Sequence, residues 1–206
     1  MSNLSFLELY KLYNKEFRSV PEIARMFKCS ENKVNYWLAK HKIQKRTISA
    51  AIYIKHNPKG DPFVFNRPKT AQDEKLFGLG IGLYWGEGNK ANKNTVRLGN
   101  SDPFLLEIFI KFLIKFFNIN KDDLRFHLHI FSDIDIKEAQ DYWIRKLKIK
   151  KWQLYKPMIT KTGALGTYRN KSSFGVLTVY YGNTKLRNLL VSLIKRIPRM
   201  LASGQP

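Results

Sequence analysis

Glu87 stands between two glycines in the run Phe77-Gly-Leu-Gly-Ile-Gly-Leu-Tyr-Trp-Gly-Glu-Gly-Asn-Lys90. If the run is helical, the carboxylate falls at its C-terminal end, where the helix dipole disfavours an anion. An acid in that place, with small neighbours on both sides, is a candidate divalent-metal ligand, and the Gly86 carbonyl is a second donor. The competing reading is a solvated carboxylate on a helix-ending turn. Metal-assisted hydrolysis needs no covalent nucleophile, which suits a chain with no Ser or Cys constellation. Arg125, His127 and His129 alternate with Leu124, Phe126, Leu128 and Ile130. Period two puts the basic set on one face of a strand and the apolar set in a core. The two histidines lack a third or fourth ligand nearby, so they read as DNA-facing or solvent-facing rather than as a zinc site. Asp133 and Asp135 read as helix caps.

The elements that must hold these residues follow from spacing. Four glycines within nine helical positions cost several times ~1 kcal/mol relative to alanine. Gly78, Gly82 and Gly86 lie four apart and form one smooth stripe, along which a second helix can approach backbone to backbone. Leu79, Ile81, Leu83 and Tyr84 fill its flanks. A phosphate-binding loop is the rival reading, and it fails because the glycine spacing matches neither nucleotide fingerprint. Thr70 and Asp73 have capping-box spacing and open this helix. Asp102-Pro103 opens another through Phe117, whose Glu107, Lys111 and Lys115 mark one polar stripe. Thr95–Gly99, Leu124–Phe131, Lys151–Thr160 and Phe174–Tyr181 read as strands. Residues 136–147 and 183–197 read as helices. Helices and strands mix without βαβ repetition, so the class is α+β.

The first fifty residues read as three short helices with caps at Ser5, Ser19 and Ser30. The stretch Val20–Ile43 resembles a DNA-binding helix-turn-helix, with Ala24 at the crossing and Ile23, Phe27, Cys29, Val34 and Trp37 inside. Lys28 takes the place of the glycine often found in the turn. Ser30, Asn32, Lys33, Asn35, Tyr36 and Lys40 line the outer face of the second helix and can reach phosphates and base edges. Lys42, Lys45 and Arg46 follow as a basic arm suited to backbone or minor groove. Residues 51–71 contain three prolines and Gly60 and read as a linker. The helix-turn-helix domain thus covers 1–50 and the α+β domain 72–197, with a tail at 198–206.

The 206 residues carry 37 Lys+Arg against 16 Asp+Glu, a net charge of +21. Asp141 is the last acid, and the 65 residues after it hold 14 Lys+Arg. That one-sign stretch also contains Trp152, Tyr155, Tyr168, Phe174 and Tyr180, a composition suited to a polyanionic partner. Its segment Thr160–Ser173, with Lys161, Tyr168, Arg169 and Lys171, reads as a DNA-contacting loop. Arg97 adds a cation on an earlier strand. A single cysteine, Cys29, excludes an intramolecular disulfide framework and points to a reducing, cytoplasmic setting. No stretch has the ~20 apolar residues of a membrane span, so no membrane partner is expected.

Gly80–Gly88 resembles the LAGLIDADG motif of homing endonucleases. Gly82 and Leu83 match its glycine and second leucine, Glu87 its catalytic acid and Gly88 its last glycine. Trp85 stands where the motif has its first acid, and Gly80-Ile81 where it opens with Leu-Ala. The resemblance spans about residues 72–197 and suits a single-motif branch, with 136–147 as an additional helix. It implies paired helices at a homodimer interface, made here by Gly78, Gly82 and Gly86. Each helix then delivers Glu87 to Mg²⁺ or another divalent cation at the scissile phosphates of double-stranded DNA. It also implies a basic residue near the phosphate, for which Lys156 is the candidate. The leading expectation is therefore a site-specific DNA endonuclease. The alternative is a transcription regulator that keeps the fold without cutting; a third is an RNA-binding accessory protein.

Overall fold

The computed structural model describes residues 3–163 and 172–203, with the backbone alone at 198–201 and 203. The chain forms two compact units, Met1–Pro62 and Phe63–Pro206.

The first unit is helical. Helix α1 (Phe6–Tyr10) runs into a π turn (Lys11–Lys15), followed by α2 (Val20–Met26), α3 (Glu31–Lys40) and α4 (Ile48–His56). The sequence places the starts. Ser19 Oγ accepts from Glu22 N while the Glu22 carboxylate accepts from Ser19 N at 2.7 Å, a complete capping box. The Ser19 hydroxyl also donates to this carboxylate at 2.6 Å and, with the Ser19 N–H, holds the Glu22 carboxyl below its usual range. Ser30 caps α3 with one bond, its Oγ accepting from Lys33 N at 3.3 Å. Leu9, Ile23, Val34 and Leu38 are fully buried between the helices, with Tyr13, Ala24 and Ile43 beside them. The turn between α2 and α3 needs a left-handed residue, and Lys28 supplies it at φ 47°. Helix α4 occupies part of the segment expected as a linker. Thr47 caps it, and Ala50, Ala51 and Lys55 favour it, although no residue in it is buried.

The second unit is α+β. Its elements are α5 (Ala71–Glu87), β1 (Val96–Asn100), α6 (Pro103–Phe117), β2 (Arg125–Phe131), α7 (Ile136–Leu147), β3 (Met158–Thr160), β4 (Val176–Tyr181) and α8 (Thr184–Ser203). It begins before residue 72. Val64 N and Asn66 N donate to the Phe117 and Phe116 carbonyls at 3.2 and 2.8 Å, and Phe65 stacks on Phe117. Those contacts draw part of the expected linker into the core. The four strands lie in the order β1-β4-β2-β3, with β2–β3 parallel and the other pairs antiparallel. Val96, Leu98, Phe126, Leu128, Ile130, Leu177 and Val179 point to the helical layer and are buried with Phe109, Phe112, Phe116 and Trp143. Of the strand expected over Lys151–Thr160 only Met158–Thr160 forms. Lys151–Gln153 is a 3₁₀ turn instead, because the buried Gln153 amide donates to the Lys121 and Leu124 carbonyls at 2.8 and 3.1 Å.

Helix α5 packs on α6 through a glycine, but not through the expected stripe. A Cβ at Gly80 would overlap the Phe112 ring, so Gly80 is the close-approach position inside the protomer. Ile81 and Tyr84, expected to flank the stripe, belong to the core on the opposite face. Among the described residues, no helix is long and apolar enough to cross a membrane.

Candidate nucleic-acid interface

The outer face of α3 carries the residues that the sequence assigns to it. Asn32, Tyr36 and Lys40 are exposed, and Lys33 and Asn35 half-buried. The Lys40 ammonium lies 4.6 Å from the Trp37 ring and 5.8 Å from the Tyr36 ring, so the cation is held against the helix face. Ser30 is exposed but spends its hydroxyl on the cap. Lys45 is exposed. Arg46 is a correction, because it turns inward rather than extending as an arm. Its guanidinium lies 4.1 Å over the Tyr13 ring, Nη2 donates to the Arg18 carbonyl, and its backbone N–H donates to Tyr13 Oη at 3.0 Å. A planar guanidinium stacks on a ring in a way that a lysine does not. Arg46 thereby ties the segment after α3 to the π turn.

The sheet provides a second basic face. Arg97, Arg125, His127 and His129 all lie on the side away from the helices, each half-buried. His129 Nε2 is 2.7 Å from Thr160 Oγ1, so this ring is tied to β3. His127 sits edge-on to Tyr180 at 6.3 Å. Among the described residues no group of three or more His, Cys, Asp or Glu is set to hold a metal. Asp135 caps α7, as expected, and Asp133 accepts from the Thr162 hydroxyl at 2.9 Å. Lys161 is exposed; Tyr168, Arg169 and Lys171 lie outside the described residues.

Glu87 closes α5 at one edge of this sheet. Gly88 pairs with Leu98 of β1, and Asn89 N donates to the Arg97 carbonyl at 2.9 Å. Gly88 must be glycine, because a Cβ there would overlap Tyr84. Lys90 Nζ donates to the Trp85 carbonyl at 2.6 Å and takes the cationic place that the helix end favours. Arg187 of α8 donates to the Lys90 carbonyl and pins the turn from below. Burial raises the pKa of Tyr84, which packs under the turn and donates to the Asn89 carbonyl at 3.4 Å. Glu87 itself is exposed, and among the described residues its carboxylate has no ion pair or hydrogen bond. The Gly86 carbonyl lies in the last helical turn, where carbonyls lack intrahelical donors.

Lys156 does not join Glu87 within a protomer. Gly88, Leu98, Val179, Phe126 and Leu154 form one row across the sheet. Four strand spacings of ~4.8 Å put the two ends of that row ~19 Å apart. Lys156 follows Leu154 at the far edge. The cations tied to the turn that follows Glu87 are Lys90, on the Trp85 carbonyl, and Arg187, on the Lys90 carbonyl.

No family model matches the chain, and neither a curated protein nor a solved structure matches it.

Gly78, Gly82 and Gly86 face away from the protomer, and a Cβ at any of them would have no heavy atom within 4 Å. Leu79 and Trp85 on the same side are 48% and 55% exposed. Three aromatics outside the expected site set complete the basic sheet face: Trp152, Tyr155 and Tyr180. Arg125 lies 4.8 Å over Trp152 and Arg97 4.9 Å over Tyr180. Period two in Val176–Tyr181 marks Tyr180 as outward, but only the cross-strand register sets it beside Arg97.

Proposed function

We propose that the chain is a site-specific DNA endonuclease of the LAGLIDADG type that works as a homodimer on double-stranded DNA. The observation that carries this reading is Glu87. It is an exposed, unengaged carboxylate at the end of a glycine-striped helix, beside a sheet face of arginines and histidines. Helix α3 inserts Asn32, Asn35 and Tyr36 toward base edges, while Lys33, Lys40 and Lys45 neutralise phosphates. Arg97 and Arg125 on the sheet present cations to DNA phosphates. The open face of Gly78, Gly82 and Gly86 receives the same helix of a second copy, so that one Glu87 comes from each protomer.

The donor set fits Mg²⁺, which is bound through one or two carboxylates and keeps several waters. Glu87 and the Gly86 carbonyl would hold it. When bound, a divalent cation supplies the activated water and the charge neutralisation that phosphodiester hydrolysis needs. Lys90, Arg97 and Arg187 keep the turn and its surroundings positive, which draws the phosphate toward an acid that would otherwise repel it.

The test is selection of bound duplex sites followed by cleavage with Mg²⁺. Wild type cuts the selected site. Glu87→Gln keeps the shape and removes the charge, so it binds the site at least as tightly and does not cut. A wild type that binds but never cuts, with Glu87→Gln indistinguishable from it, makes the protein a DNA-binding regulator instead.

A further inference from the structure

The outer face of the sheet alternates cations and rings. Arg97 of β1 is in register with Tyr180 of β4, and Tyr180 with Arg125 of β2. Arg125 in turn covers Trp152, so one row reads cation, ring, cation, ring across the sheet. Tyr155 extends it edge-on to Tyr180 at 6.0 Å, and Lys150 lies 5.7 Å from the Trp152 ring. Trp152 and Tyr155 are 55% and 50% exposed, far more than rings kept for a core. The next row along the strands is Gly99, Thr178 and His127, two of them small, so the aromatic row borders a low strip of sheet.

Such a face suits bases whose flat sides are free. In a duplex those sides are stacked on neighbouring bases, and a protein ring can only meet edges, sugars or phosphates. On an unpaired strand each base offers its face to a ring, and guanidinium groups placed between the rings meet the phosphates. Charge agrees, since Arg97 and Arg125 lie over the rings, and Lys151 and Lys156 are the chain neighbours of Trp152 and Tyr155. Asp122, the acid that contacts this group, is neutralised by Lys150 at 2.6 Å. The helix-turn-helix on the same chain supplies the reason to commit to DNA rather than RNA.

We infer that the row Arg97–Tyr180–Arg125–Trp152, with Tyr155, is a stacking platform for the unpaired bases of single-stranded DNA. A duplex held by α3 and an unpaired strand held by the sheet are then two separate engagements. The inference rests on the reading of this chain as DNA-binding, but not on cleavage.

The experiment measures equilibrium binding of the full chain to four probes: dT20, an abasic strand of equal length, a 20-base-pair duplex and rU20. Wild type should hold dT20 about 10- to 100-fold tighter than the abasic strand, the range for one or two stacked bases. Trp152→Ala with Tyr155→Ala should bring dT20 down to the abasic level and leave the duplex within about twofold, because both side chains are exposed. Trp152→Phe with Tyr155→Phe keeps the rings and should restore the preference. Equal binding of dT20 and the abasic strand by wild type overturns the platform while leaving the duplex reading intact. So does an alanine pair that loses duplex and strand alike, or a phenylalanine pair that fails to restore the preference. Tighter binding of rU20 than dT20, by tenfold or more, assigns the face to RNA and overturns it as well. A wild type that binds none of the four removes the DNA reading itself.

Discussion

At the scale of single residues, chemistry and position separate. Arg46 has the type and place in sequence of a DNA-contacting arm, yet its guanidinium covers Tyr13 and bonds to the Arg18 carbonyl. Arg46→Ala is therefore expected to destabilise the helical unit by about 1–2 kcal/mol, the sum of a stacked cation and a lost hydrogen bond. Thermal unfolding of the variant checks this. An unchanged midpoint with weakened DNA binding would return Arg46 to the interface. Glu87 shows the converse. Its neighbours Lys90 and Arg187 satisfy backbone carbonyls and leave its carboxylate without a partner. That is the state a metal ligand needs, and the Glu87→Gln cleavage test above acts on it directly.

At the scale of elements, α5 has two glycine faces with opposite expectations. Gly80→Ala drives a Cβ into Phe112 and should cost about 1–3 kcal/mol by overpacking. Gly82→Ala meets nothing within the protomer and should add about 1 kcal/mol of helix propensity to a monomer. In the proposed dimer the same methyl separates the paired helices, so self-association should weaken. Thermal unfolding read beside sedimentation separates the two effects, and an unchanged sedimentation mass removes α5 as the dimer contact. The start of α5 is tied to α6 by charge. Asp73 accepts from Lys69 N at 3.1 Å and pairs with the Lys115 ammonium, whose hydrogen bond holds the Asp73 carboxyl below its usual value. A depressed carboxyl contributes stability above its unfolded pKa of ~3.9 and loses it as pH falls through the folded value. Asp73→Asn should therefore unfold earlier than wild type at pH 7, and the gap should shrink as pH falls below the unfolded pKa of ~3.9. A gap independent of pH would show that the carboxylate charge is not what ties the helices.

At the scale of the whole molecule, two cores share no residue: the helical one around Ile23, Val34 and Leu38, and the larger one around Phe109, Phe112 and Trp143. Each therefore has its own basis for cooperativity. A protein lacking residues 1–62 should keep a cooperative thermal transition and lose selectivity among duplex sequences. Its residual duplex binding should fall steeply with salt, by about 0.9 in log affinity per phosphate neutralised for each decade of salt. Loss of the transition on truncation would mean that the second core depends on the first.

The local signals in this sequence carried most of the helical layer. Ser19 with Glu22, Ser30, Asp102-Pro103 and Asp135 mark where helices begin, because a capping bond spans only two or three residues and its partners are adjacent in the chain. Period two in Leu124–Phe131 sorted Arg125, His127 and His129 from the core for the same reason. The charge of +21 needed no structure at all. Tertiary structure alone decided which of these residues meet. Strand order and register placed Arg97 against Tyr180 and set Glu87 and Lys156 at opposite edges of one sheet. It also made Gly80, rather than Gly82, the tight contact within the protomer. Helix and strand periods fix the face a side chain takes, but not the neighbour that face receives. That neighbour is set by pairings between segments far apart in the chain, where no repeat in the sequence reaches.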